Sequence, residues 1–225
     1  AVLGYSQILL RKKSLDKDTL DAIKTIDNSG KNLLKMINEI LDISKIEAGK
    51  MELYVTSFSL NDLIDNLSQL FELRCKQKQL HWKVRGLTRL TRVKGDETKL
   101  RQILVNLLGN AVKFTSSGEI LLDIIALENN QYRFSVIDSG NGIPLQAQKN
   151  IFEAFHQDEE GGKNGGTGLG LAIAKKQLQL MGSDLFLESE INEGSKFHFT
   201  LHLPEDTETF KNNEVKINSI LHLAP

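Results

Sequence analysis

A single cysteine, Cys75, serves the whole chain of 225 residues. It excludes an intramolecular disulfide and suits a reducing compartment, and no base in the sequence can be paired with it as a nucleophile. An excess of charge is lacking too: 28 basic against 29 acidic residues leave no field that favours nucleic acid or an anionic membrane surface. No apolar run is long enough to span a bilayer and no signal peptide opens the chain, so a soluble, cytoplasmic segment without membrane contact is expected. There is no solenoid repeat, no Gly-x-x-x-x-Gly-Lys-Ser/Thr phosphate loop, no eukaryotic protein-kinase catalytic signature and no Gly-x-Ser-x-Gly elbow. No His/Cys/Asp cluster has metal-site spacing.

What is present divides by texture. Residues 1–13 and a longer stretch after the turn Ser14-Leu15-Asp16 read as two helices. The first begins without a cap, as though cut. The second carries Leu20, Ile23, Ile26, Leu33, Leu34, Ile37, Ile40, Leu41 and Ile43 at spacings of three and four. A two-helix hairpin cannot bury that stripe alone. Two copies forming a four-helix bundle through residues 1–48 would cover it; packing on the following domain is the alternative. Gly49 marks a helix end or hinge.

From Tyr54 the pattern becomes mixed. Helices are expected over residues 61–79 and 97–114. Strands are expected over residues 80–85, 119–127, 131–137, 185–188 and 196–203, with a short strand and turn at Val93-Lys94-Gly95-Asp96. Asn129-Asn130 makes a hairpin turn, and a last helix ends near Met181-Gly182. This order suggests a sheet covered on one face by helices. The resulting division is a helical hairpin over 1–53, an α/β domain over 54–204, and a polar tail or linker over 205–225.

Three motifs carry chemistry. Gly166-Thr167-Gly168-Leu169-Gly170-Leu171 runs straight into an apolar-periodic helix, and such a junction offers unpaired N–H groups and a positive dipole end to phosphate. On the helix over 97–114, Leu100, Ile103, Leu104, Leu107, Leu108, Ala111 and Phe114 fill one arc. Asn106, Asn110 and Lys113 gather within about 60° at its edge. Polar groups at a core boundary need partners. An Asn carbonyl with phosphate oxygens suits Mg²⁺, and Lys113 suits a phosphate as a point charge. Asp138 ends a strand and is followed by Gly140 and Gly142. An ionised carboxylate only accepts hydrogen bonds, so a buried Asp would favour adenine, with its amino donor, over guanine. Taken alone, Asp138-Ser139-Gly140 reads first as an ordinary turn. Residues 156–165 are polar and Gly-rich, and read as a mobile lid whose base Phe152 and Phe155 would pin. Lys163 within it reads as solvated or as a group reaching a terminal phosphate. Together these features point to a nucleotide.

With those residues laid out, the chain resembles the catalytic region of two-component sensor histidine kinases. Asn106-Leu107-Leu108-Gly109-Asn110-Ala111-Val112-Lys113-Phe114-Thr115 is similar to the family's N box. Asp138-Ser139-Gly140-Asn141-Gly142-Ile143-Pro144 is similar to G1, Ile151-Phe152-Glu153-Ala154-Phe155 to the F box, and Gly166 to Leu171 to G2. The resemblance implies an α+β Bergerat-type sandwich, as in gyrase, Hsp90 and MutL proteins, behind a dimerising hairpin. It implies ATP and Mg²⁺ as cofactors, Asn110 as the Mg²⁺ ligand, Asp138 as the adenine reader, Thr200 beside the adenine, and a response-regulator receiver domain as partner. It also places the phosphoacceptor His about eight residues ahead of Ala1, roughly 12 Å of helix. None of His81, His156, His198, His202 and His222 lies on the hairpin. The segment is therefore expected to bind nucleotide without phosphorylating itself. The gyrase-type ATPases carry a Glu that activates water where Asn106 stands, and a neutral amide is a poor base.

Overall fold

A computed structural model describes residues 1–12, 15–86, 91–156 and 167–206. The chain divides between Met51 and Glu52 into two compact units.

The first unit is a helical hairpin of α1 (Val2–Leu10) and α2 (Lys17–Glu47). Helix α1 is shorter than its apolar pattern suggests. Asp16 caps α2 by accepting from the Thr19 amide at 2.9 Å and its hydroxyl at 2.6 Å, which satisfies an orphan donor of the first turn. At the other end Gly49 takes φ +64°, the left-handed conformation that closes a helix. The stripe of α2 is largely uncovered within this unit: Leu33, Leu34, Ile37, Ile40 and Leu41 are each about half exposed, whereas Ile23 is buried. Buried between the helices is a polar contact, the Ser6 hydroxyl donating to Asp27 Oδ1 at 2.9 Å. Lys31 pairs with the other Asp27 oxygen at 2.6 Å.

The second unit begins with β1 (Thr56–Ser59), a strand the sequence pattern did not reveal. It is only four residues long and alternates weakly. Its existence depends on antiparallel pairing with β3 (Arg92–Gly95), Thr56 opposite Gly95. Then come α3 (Leu60–Gln77), β2 (His81–Arg85), α4 (Glu97–Phe114), β4 (Glu119–Ala126), β5 (Gln131–Asp138), the single turn α5 (Leu145–Gln148), α6 (Gly170–Leu180), β6 (Phe186–Glu190) and β7 (Gly194–His202). Asn129 and Asn130 both adopt φ +57° between β4 and β5, as a type I′ turn requires.

The main sheet runs β2-β4-β5-β7-β6, with β2 and β4 parallel and the remaining pairs antiparallel. Its inner face presents Ile120, Leu122, Ile124, Phe134, Val136, Phe197 and Phe199 to the apolar stripes of α3, α4 and α6. Phe134 and Phe199 stack there with centroids 5.1 Å apart. The opposite face is polar, with Arg85 forked onto Asp123 at 2.8 and 2.9 Å. This is the α+β architecture expected. The polar tail, however, does not start at Glu205. Glu205 bridges to Val93, the Asp206 amide donates to the Arg92 carbonyl at 2.9 Å, and Asp206 is buried. These two residues extend the small sheet instead.

Candidate nucleotide-binding site

Helix α4 organises the site. Asp96 caps it with one carboxylate oxygen on the Lys99 amide and holds the Tyr54 amide with the other, both at 2.9 Å. Its apolar arc, Leu100 through Ala111, is buried against the sheet, which puts Asn106, Asn110 and Lys113 half-buried along one edge. Asn106 Nδ2 donates to the Gly170 carbonyl at 3.3 Å, tying α4 to the start of α6. Asn110 follows one turn later, and its amide makes no hydrogen bond among the described residues. Lys113 Nζ lies 4.8 Å from the centroid of the Phe114 ring, itself 40% exposed.

At the C-terminal end of α4 the chain meets the loop after β5. Asp138 is buried on the inner face of the sheet, and its Oδ1 accepts from the Gly140 amide at 2.9 Å. A side chain on Gly140 would collide with the Phe114 carbonyl, Asp138 Oδ1 and Thr115 Oγ1 at 2.7, 2.8 and 3.1 Å, so these groups converge on one small space. Burial pushes the Asp138 carboxyl above its ordinary range, opposed by the Gly140 and Ser195 amides and the Thr115 hydroxyl. Thr115 Oγ1 is buried and lacks a hydrogen bond of good geometry among the described residues. A buried carboxylate next to an under-satisfied hydroxyl fits a ligand bearing an amino donor or a bridging water. Gly142, at φ +69°, must be glycine, since a Cβ would sit 1.8 Å from the Glu190 carbonyl oxygen. Ile143 packs half-buried against the core.

The third motif closes on the same helix. Gly168 adopts φ +69° and its carbonyl accepts from the Phe155 amide at 3.1 Å. Thr167 Oγ1 accepts from the Leu169 amide at 3.2 Å. Leu169 is buried, Leu171 packs on the core, and no side chain caps the first turn of α6. Among the described residues its first-turn amides therefore have no side-chain cap, as an anion site needs. Gly166, Lys163 and most of the expected lid lie outside the described residues. Phe152 is half-buried beneath Lys175, whose Nζ is 4.7 Å from the ring centroid. Phe155 is 66% exposed at φ +65°, and its amide is held by the Gly168 carbonyl.

One expected residue is displaced. Thr200 pairs with Arg133, on the polar face of the sheet, five residues along β7 from the residue opposite Asp138. It stands on the wrong face to lie beside a base that Asp138 reads. That neighbour is Ser195, which is buried directly opposite Asp138. The sequence carried a signal for it in Gly194-Ser195: Gly194 at φ +102° passes 1.9 Å from the Asp138 carbonyl at the position a Cβ would take. Thr115 and Ser189 were also unrecognised, because each acts through a contact between distant strands or helix ends.

No group of three or more His, Cys, Asp or Glu among the described residues is arranged to hold a metal. The donor set that fits is the half-buried Asn110 amide, which suits Mg²⁺ carried in with phosphate oxygens better than an ion held by protein alone.

A helix-covered mixed sheet with a buried Asp, a glycine loop and an uncapped helix start grouped round α4 defines an ATP-site fold. In agreement, the family model for histidine kinase-, DNA gyrase B- and HSP90-like ATPases matches residues 95–205, and that for the histidine kinase A phospho-acceptor domain matches residues 1–49. The sensor protein GacS of Pseudomonas syringae pv. syringae is 40% identical over 215 residues, covering 92% of this chain and 24% of GacS. Full-length ShkA, crystallised with AMPPNP, superposes with a TM-score of 0.77 at 32% identity over 91% of this chain and 43% of ShkA. The catalytic domain of the histidine kinase ThkA gives a TM-score of 0.57 at 31% identity over 67% of this chain and 97% of that domain. ThkA in complex with the response regulator protein TrrA gives 0.62 at 28% identity, covering 89% of this chain and 56% of that one. The chain belongs to the two-component sensor histidine kinases and carries their ATP-binding catalytic region. It spans about a quarter of the length of the curated relatives it matches.

Proposed function

We propose that residues 54–204 bind Mg²⁺·ATP along α4, and that the parent protein transfers the γ-phosphoryl to a histidine for relay to a response-regulator aspartate. The observation that carries the reading is Asp138, a buried carboxylate at the end of β5 that faces the space closed by Gly140 and Thr115. Asp138 would accept from the adenine amino group. The start of α6, with Gly168 and Leu169 just ahead of it, would take phosphate oxygens on its amides, with Lys113 adding charge. Asn106 holds that start in place. Asn110 would hold Mg²⁺, which when bound neutralises phosphate charge. Phosphoryl transfer of this kind needs mostly positioning and charge stabilisation, which such a cradle supplies. Ile143 and Phe155 would border the nucleotide, and the lid read over residues 156–165 would close on it. Residues 1–48 would pair with a second copy, and a response-regulator receiver domain would be a further partner, a reading supported by the complex of ThkA with TrrA. No helix among the described residues is long and apolar enough to cross a membrane, and we place the segment in the cytoplasm.

A narrower reading concerns this segment alone. The hairpin matched by the phospho-acceptor model contains no histidine, since the first is His81. The segment by itself would therefore bind ATP without labelling its hairpin. Incubation with γ-labelled ATP and Mg²⁺, beside a chain extended upstream in the parent, tests both. Acid-labile, base-stable label on the extended chain only, and lost in Asp138→Asn, is the expected result. Label on neither chain despite tight ATP binding would overturn the kinase reading in favour of a nucleotide-responsive dimer module.

A further inference from the structure

Ser189, on β6, belongs to none of the four motifs, yet its hydroxyl joins three parts of the site. It lies 2.7 Å from the Gly194 carbonyl, 2.9 Å from the Ile143 amide and 3.1 Å from the Ser195 hydroxyl. A hydroxyl has one proton and two acceptor lone pairs. Gly194 offers only an acceptor, so the Ser189 proton is committed there; the Ile143 N–H takes one lone pair. The remaining contact then has one solution: Ser195 donates to Ser189. The reverse assignment would leave the lone pairs of the Ser189 hydroxyl and the Gly194 carbonyl facing each other at 2.7 Å.

That direction has a consequence at the base. With its proton spent on Ser189, Ser195 has only lone pairs left for the pocket, directly across from Asp138. We infer that Ser189 is a positioning residue that fixes Ser195 as an acceptor, so that two acceptors rather than one reject a base carrying a carbonyl in place of an amino group. This rests on the nucleotide reading above. Gln148 plays a separate part: its Nε2 donates to the Ile143 carbonyl at 2.8 Å and the Ser189 carbonyl at 3.0 Å, which straps the glycine loop to β6 without touching either hydroxyl.

The experiment measures ADP and GDP affinities of the full 225-residue chain by titration calorimetry, with thermal melts to confirm folding. Ser189→Ala should lower the ADP-to-GDP affinity ratio about tenfold, the worth of one hydrogen bond, because Ser195 can then turn and donate to a carbonyl. Ser189→Thr, which keeps the hydroxyl, should preserve the ratio. Gln148→Leu should weaken both nucleotides in equal proportion. Ser195→Ala should lower the ratio, and adding Ser189→Ala to it should change the ratio no further, since one residue acts through the other. An unchanged ratio in a folded Ser189→Ala, or additive effects in the double variant, overturns the inference; if Ser189→Ala fails to fold, an unchanged ratio in Ser195→Ala does so. Wild-type chain that binds no ADP, or binding that Asp138→Asn leaves intact, sinks the nucleotide reading itself, a distinct outcome.

Discussion

Asn106 and Gly170, 64 residues apart in sequence, are joined by a hydrogen bond of 3.3 Å from side-chain amide to backbone carbonyl. The contact couples the helix that carries Asn110 to the helix start that would receive phosphate. Asn106→Ala should cost about 1 kcal/mol of stability. Asn106→Asp should cost more, because a carboxylate facing a carbonyl presents acceptor to acceptor. Denaturant melts rank the two, and equal losses would mean that the bond does not hold the helices together.

Asp138 gives a pH signature. Its folded pKa is raised above the ordinary value of 3.8, chiefly by burial, so the folded state holds this proton more tightly than the unfolded chain. Its contribution to stability therefore falls as pH rises from the ordinary carboxylate range through the raised folded value, and stays lost above it. Asp138→Asn removes that penalty while its oxygen can still accept from Gly140. The ligand-free variant should melt a few degrees higher than wild type at neutral pH, with the gap closing in acid, and should bind no ADP. A variant that melts lower at every pH would contradict this account.

The opposite sign applies in the hairpin. The Lys31 ammonium first, and the Ser6 hydroxyl second, hold the Asp27 carboxyl below its ordinary range. Its stabilising contribution is present above the unfolded value and is lost as pH falls through the depressed folded value. Asp27→Asn should therefore loosen the hairpin at neutral pH and match wild type in strong acid. Hydrogen exchange of α1 and α2 amides across pH checks the convergence.

Two glycines with similar backbones should differ in what they tolerate. Gly182 has φ +76° with nothing within 4 Å of a built Cβ, so Gly182→Ala should cost about 1 kcal/mol of backbone strain. Gly142 has φ +69° and faces the Glu190 carbonyl at 1.8 Å, so Gly142→Ala must displace the loop. It should cost several times as much in a thermal melt and abolish ADP binding in calorimetry.

The exposed stripe of α2 tests the dimer. Ile37 is 45% exposed within one copy. Ile37→Asp should convert a dimer to a monomer in sedimentation while leaving ADP affinity unchanged; a chain that sediments as a monomer before substitution would end the four-helix proposal.

Long periodic elements were legible because repetition over many residues averages out local noise. Helix α4 falls on Glu97–Phe114 as its pattern indicates, and Asn129-Asn130 forms its turn because few residues accept two positive φ values. Strand β1 was missed because Thr56–Ser59 has too few residues to show a period and is a strand only by pairing with β3. Thr200, expected beside the adenine, stands on the other face from Asp138: its distance from Gly194 in sequence gives no register, and in a strand an odd offset reverses the side. The docking of Glu205 and Asp206 was hidden by their polarity.

What the sequence determined by itself is the chemistry in reserve: an acceptor-only Asp138 beside glycines, amides on one edge of a core helix, and a glycine run opening another. Residue types and their spacing along one element settle these. Only the tertiary structure decided which groups face one another. Ser195 rather than Thr200 stands across from Asp138, Asn106 reaches Gly170, and Ser189 commits its single proton to Gly194. Those relations depend on strand register and on helices packed over a common sheet, and no local pattern encodes the distance between two segments that meet only when the core closes.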